Sequence, residues 1–175
     1  MDFKKVEMKD LEFNAFTLMS QDWPLLTAGN KENDFNTMTI SWGHIGSMWG
    51  NSNLGTGATV VVYVRPQRYT KKFMDENEMF TVSVLPAEYK KTLSYLGTVS
   101  GKYEDKVAKA GLTPAFTNNT TYFTESNLVL VCRKLYSGEL KEEGFIDKNI
   151  PQNIYPTKDF HTMYFGEIVE VLKKV

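Results

Sequence analysis

The chain has 175 residues, 42% apolar and 23% charged, with a formal net charge of -1. That size and balance describe one domain, residues 1–175, with a core of its own, and exclude a disordered chain. The near-zero charge excludes a global field for nucleic acid or a membrane surface, so an anion site must be a local cluster of cations.

In chain order, residues 1 to about 20 form a lead-in, with an extended piece expected around Phe13 and Phe16. The opening residues Met1 to Glu7 carry no apolar signal-peptide core, and no later run has the length to cross a bilayer, so the expected location is the cytoplasm. Trp23 to Gly29 reads as the first strand, and the polar, turn-rich stretch Gly29 to Asp34 as a loop. Asn36 to Trp42 alternates Thr37, Thr39 and Ser41 with Met38, Ile40 and Trp42, a strand with one polar and one apolar face. His44 to Gly57, with Asn51 and Asn53, reads as a loop or irregular edge. Thr59 to Val64 is a strand of β-branched residues. It ends at Val64-Arg65-Pro66-Gln67-Arg68-Tyr69-Thr70, where Thr70 is a candidate N-cap for a helix running to Glu76.

Met79 to Leu85 is a strand, and Pro86 opens a helix with Tyr89, Leu93 and Leu96 on one stripe and Gly97 at its end. Asp105 to Ala110 reads as a short helix closed by Gly111. A strand is expected near Tyr122 and Phe123, and another over Leu128 to Tyr136. Cys132, the sole cysteine, lies in that run and reads as a buried, inert thiol; alone it excludes an internal disulfide or a multi-cysteine metal site. Ser137 to Lys158 reads as a long polar loop, and Phe160 to Leu172 as the last strand, with Gly166 marking a bend or bulge. Strands at regular spacing with short helices between them define an α+β barrel.

Several chemistries are excluded. Gly97 to Tyr103 resembles a phosphate loop but is one residue short, with Tyr103 where a magnesium-binding hydroxyl belongs. There is no Gly-x-Gly-x-x-Gly for a dinucleotide fold. His44 and His161 lie far apart with no cysteine nearby, which speaks against zinc; either could be a polar contact beside a ligand. Two stretches point to a site. Arg65 and Arg68 stand at a strand end before a helix start, an arrangement suited to phosphate. The polar face of Asn36 to Trp42 suits a flat hydrogen-bonding ring. Taken singly, the arginines could be a surface cluster and the hydroxyls a solvent face. Ser100, Gly101 and Lys102 form either a second small anion-binding turn or a solvent loop.

The pair Asn36-Thr37-Met38-Thr39-Ile40-Ser41-Trp42-Gly43 and Val64-Arg65-Pro66-Gln67-Arg68-Tyr69-Thr70 resembles the flavin reductase-like, flavoredoxin-type family of FMN-binding split β-barrels. Phe80 to Val84, the segment near Asp105-Lys106 and His161 to Ile168 follow in the family's order, so the resemblance covers roughly residues 10 to 172. It implies a split β-barrel with short peripheral helices and a homodimer. It also implies FMN held by Asn36, Thr37, Met38, Thr39, Ser41 and Trp42 at the ring, by Arg65, Arg68, Tyr69 and Thr70 at the phosphate, and by Ser100, Gly101 and Lys102 nearby. In that reading NADH or NADPH reduces the flavin, which passes electrons to free flavin or a partner protein. The flavin carries the chemistry, so no catalytic side chain is expected. Two rivals share the pocket: an electron carrier that does not oxidise nicotinamide well, and a non-enzymatic flavin-binding module.

Overall fold

The computed structural model describes residues 3–50 and 57–175. Among them the main sheet is antiparallel. It is built from β1 (Phe3–Lys5), β2 (Leu25–Asn30), β3 (Asp34–Thr39), β4 (Gly43–Ser47), β5 (Ala58–Val64) and β6 (Met79–Val84), completed by two long strands. A separate hairpin, β7 (Pro114–Thr117) and β8 (Thr120–Phe123), precedes those two, β9 (Leu128–Glu139) and β10 (Thr162–Lys174). The spatial order is β3-β2-β6-β9-β10-β5-β4, with β1 added along β10. The two edge strands, β3 and β4, are consecutive in sequence and joined by only Ile40, Ser41 and Trp42. Among the described residues five short helices lie around this sheet: α1 (Ala15–Thr17), α2 (Thr70–Glu76), α3 (Lys90–Thr98), α4 (Lys106–Lys109) and α5 (Asn149–Ile154). This is the split barrel with short peripheral helices that the sequence led us to expect.

Alternation along the strands builds two packed layers. Leu26 and Ala28, Met38 and Ile40, Val60, Val62 and Val64, Phe80 and Val82, and Leu130 and Cys132 point into one buried cluster inside the barrel. The opposite faces of β2 and β6 lie under α3 and the β7–β8 hairpin. There Leu25, Leu93, Leu96, Leu112 and Phe123 form a second cluster. Burial pushes the Cys132 thiol far up from its ordinary value, which makes it inert in the folded chain.

Several element boundaries differ from the sequence reading. The extended piece expected near Phe13 and Phe16 is instead α1 followed by one wide turn over Leu18–Asp22, and the strand of this region is β1. The second strand stops at Thr39, so Ser41 and Trp42 lie in the link beyond it. The expected loop after His44 begins as β4, because His44 and Ile45 pair with Val61 and Val60; Asn51 and Asn53 lie outside the described residues. Gly97 does not end α3, which continues to Thr98. The loop expected over Ser137 to Lys158 contains the end of β9, a single 3-10 turn and α5. Thr70 does not cap α2: it is the first helical residue, and its hydroxyl accepts from Asn36 Nδ2 at 2.8 Å.

Gly166 is the bend anticipated from its sequence. The β9–β10 register shifts between Phe165 and Gly166. A Cβ built there would overlap the ring of Phe80, which is almost fully buried. Gly166→Ala should therefore destabilise the protein by about 1–3 kcal/mol through overpacking. Urea unfolding checks this; an unchanged midpoint would show that the Phe80 ring has room to move.

Candidate functional site

Three adjoining hollows lie along the seam between the two sheet edges. The first, about 170 Å³, is lined by Met38, Thr39, Ile40, Ser41, Trp42, Tyr63, Arg65, Arg68 and His161. A second, about 310 Å³, shares Met38 and Arg68 with it and adds Gln67, Tyr69, Thr70, Thr98, Ser100 and Lys106. A third, about 590 Å³, shares Ser41, Trp42 and Tyr63 with the first and is otherwise mostly apolar. The link from β3 to β4 thus forms a wall common to two of the hollows.

The second hollow is cationic. Lys106 opens α4 behind its N-cap, Asp105. Its side chain is buried, and Nζ donates to Leu96 O at 3.0 Å and Val99 O at 2.9 Å. Burial, reinforced by the neighbouring Arg68 charge, pushes its pKa down to about 8. Arg68 Nη1 donates to Gly97 O at 2.9 Å. Among the described residues, neither cation takes part in an ion pair. Two uncompensated cations, one buried, beside the hydroxyl of Ser100 form a donor set matched to a phosphate.

Arg65 is in a different position. It is ion-paired with Asp159, donates through Nη2 to Ile154 O at 3.0 Å and lies over the Tyr155 ring. The Arg65 guanidinium and the Gln67 amide, which also donates to Asp159, hold that carboxyl well below the usual range. Arg65 is therefore a latch between the end of β5 and the segment after α5, although it also reaches the first hollow.

The residues singled out in the sequence are only partly brought together. Met38, Thr39, Ser41, Trp42, Arg65 and Arg68 line the first hollow, and Tyr69, Thr70 and Ser100 the second. Thr37 is buried: its hydroxyl shares a 2.8 Å hydrogen bond with Thr27 under the β7–β8 hairpin, so it faces neither hollow. Thr39 Oγ1 donates to Leu93 O at 2.6 Å, which ties β3 to α3. Asn36 braces Thr70 from a buried position. A Cβ on Gly101 would overlap the Asn36 carboxamide oxygen, so this glycine permits a close approach rather than lining either hollow. Lys102 borders a separate surface depression with Tyr103 and Lys72.

Lys106, Tyr63 and Gln67 are among the lining residues that the sequence does not place in a site; Lys106 lies in the expected short helix from Asp105 and Tyr63 in the strand Thr59 to Val64. His161, noted only as a possible contact, stacks on Trp42 with ring centroids 4.9 Å apart, and its Nδ1 is hydrogen-bonded to the Tyr155 hydroxyl at 2.8 Å. Burial first, then the charges of Arg65 and Arg68, lower its pKa to about 4.

The flavin reductase like domain model matches residues 16–174, and the chain belongs to that family. Solved structures share its fold. An FMN-binding domain of flavin reductase-like enzymes from Shewanella baltica is 13% identical, with a TM-score of 0.67 over 98% of this chain and 77% of the other. Flavoredoxin of Desulfovibrio vulgaris is 22% identical, with a TM-score of 0.64 over 87% and 69%. Nitrilotriacetate monooxygenase component B from Bacillus cereus is 17% identical, with a TM-score of 0.62 over 95% and 79%. Among curated proteins, none matches the sequence.

The His161 environment generates a pH prediction. The unfolded chain takes a proton on this residue near the usual pKa of about 6.5, whereas the folded protein resists it down to about 4. Unfolding thus takes up a proton between those values, and stability falls as pH is lowered through that window. His161→Gln should flatten that part of the profile. Urea midpoints from pH 7.5 to 4.5 measure it; identical slopes in both proteins would remove His161 as a contributor.

Proposed function

We propose that the protein is an FMN-dependent oxidoreductase that accepts hydride from NADH or NADPH and passes electrons to free flavin or to a partner protein. The observation that carries this is the proximity of Arg68 to the buried Lys106, neither ion-paired among the described residues, in a hollow that shares Met38 and Arg68 with the space beside Met38 to Trp42. Family membership agrees with it. Arg68 and Lys106 would hold the phosphate, assisted by Ser100 and Thr70. Met38 to Trp42 would border the isoalloxazine with backbone groups and the Trp42 indole, and His161 would remain a neutral wall behind it. Bound flavin supplies the hydride and electron chemistry. The chain's own residues bind and orient it and present one side of it to the large apolar cavity.

The homodimer follows from the resemblance alone, and the cytoplasmic location from the opening residues and the lack of a bilayer-length apolar run in the sequence. Among the described residues, no helix is long and apolar enough to cross a membrane.

Three measurements test the proposal. Cofactor released from the purified protein, or bound on addition, should be FMN; uptake of FAD alone would reject the compact phosphate hollow. Steady-state oxidation of NADH and NADPH by the holoprotein should be measurable. Bound flavin without such oxidation would instead favour an electron carrier.

Arg68→Ala should weaken FMN binding roughly tenfold or more, since a charge-assisted hydrogen bond contributes about 1.5–3 kcal/mol. Arg65→Ala should weaken it less, because its charge is already matched by Asp159. Binding should also weaken as pH rises past about 8, where Lys106 loses its proton. Lys106→Met should bind more weakly at pH 7 and lose that pH dependence. Equal FMN affinities for wild type, Arg68→Ala and Lys106→Met would place the phosphate elsewhere.

A further inference from the structure

The cavity of about 590 Å³ beyond Trp42 is a space of its own, within the range of roughly 300–1,000 Å³ typical of small-molecule sites. Phe16, Met19, Trp42, Ile45, Phe145 and Ile150 contribute to its apolar surface, three of them aromatic. Among the described residues, no lysine, arginine, aspartate or glutamate lines it, in contrast to the two hollows that hold Arg65, Arg68 and Lys106. A ligand carrying phosphates or a carboxylate would lose its hydration there and meet no cation.

The polar groups of the cavity are few. The Tyr155 hydroxyl is taken up by buried His161 at 2.8 Å. Tyr63 differs. It lines both this cavity and the ring-sized hollow, and its hydroxyl meets His44 Nδ1 at 3.3 Å on the exposed side. That is just beyond the roughly 2.7–3.2 Å usual between a nitrogen and an oxygen. If His44 donates through Nδ1–H, the tyrosine O–H is free. If His44 accepts, the long bond is readily exchanged for a shorter one to a ligand.

From this arrangement we propose that the cavity binds a planar, uncharged ligand bearing a carbonyl oxygen, such as an aromatic ketone, aldehyde or quinone, with the Tyr63 hydroxyl donating to that oxygen. The flat rings of Trp42 and Phe145 provide stacking surfaces. The consequence, that such a ligand would abut the flavin and could serve as its electron acceptor, rests on the function proposed above. Binding itself does not.

The test titrates menadione, a neutral bicyclic quinone, into the full-length protein with and without FMN, read by calorimetry and tryptophan fluorescence. Saturable binding at one site is expected in both forms. Ile150→Arg places a charge in the cavity at a partly exposed position of α5. It should weaken menadione binding at least tenfold while FMN affinity stays within twofold. Tyr63→Phe should weaken menadione binding about three- to tenfold, the loss of one hydrogen bond. An anionic analogue of the same size, 1-naphthalenesulfonate, should fail to compete.

The site assignment is overturned if menadione shows no saturable binding up to millimolar concentration, or binds Ile150→Arg as well as wild type. It is also overturned if NADH displaces menadione from the FMN-free protein, which would give the cavity to the dinucleotide. If menadione binds as expected but FMN does not bind at all, the cavity assignment stands and the flavin function falls.

Discussion

The sheet has β3 at one edge and β4 at the other, yet three residues join them. From Thr39 to Gly43 the chain takes four Cα steps, which cover at most about 14 Å. The edges of a sheet this wide can be that close only if the sheet curls on itself. The short link therefore requires the barrel, and the barrel requires a seam where the link crosses. Ile40 bonds back to Pro24 through its N–H at 2.9 Å, while Ser41 and Trp42 are left along the crossing. Two of the three hollows border these residues because the seam is where the sheet's own pairing is interrupted.

The rest of the architecture holds the seam in place from either side. On one side, Asn36 reaches Thr70 and Thr39 reaches Leu93, joining β3 to the helices that carry the cationic hollow. On the other, Arg65 fixes the end of β5 to Asp159 and Ile154, which sets the segment around α5 as a roof over the apolar cavity. Charge is divided along this line. Cations gather at the Arg68 and Lys106 end, and uncharged aromatic surface at the Phe145 and Ile150 end. A bound molecule with an anionic tail and a flat head has one orientation along such a groove.

Much of the fold was legible because the strands are short and strongly patterned. Thr59 to Val64 reads as a strand from its β-branched content, and it and the expected strand Met79 to Leu85 match β5 and β6 within a residue. The site was legible less evenly. The Arg-x-x-Arg spacing identifies the place but not the roles, since Asp159, which separates Arg65 from Arg68 in function, lies more than ninety residues away. Alternation shows that Thr37 shares a face with Thr39, but not that Thr37 is buried with its hydroxyl taken up by Thr27. Lys106 was hidden for a related reason. A lysine at a helix start ordinarily extends into water, and only tertiary packing turns it inward to Leu96 and Val99.

Cys132 sits at the centre of β9, paired with Phe80 on one side and Ile168 on the other, with no solvent exposure. Its thiolate is strongly disfavoured while those strands remain together. The molecule thus contains a built-in clock for its own opening. A thiol reagent can modify the chain only after the middle of the barrel separates, and the rate at which the sole sulfhydryl is capped reports how often that separation occurs.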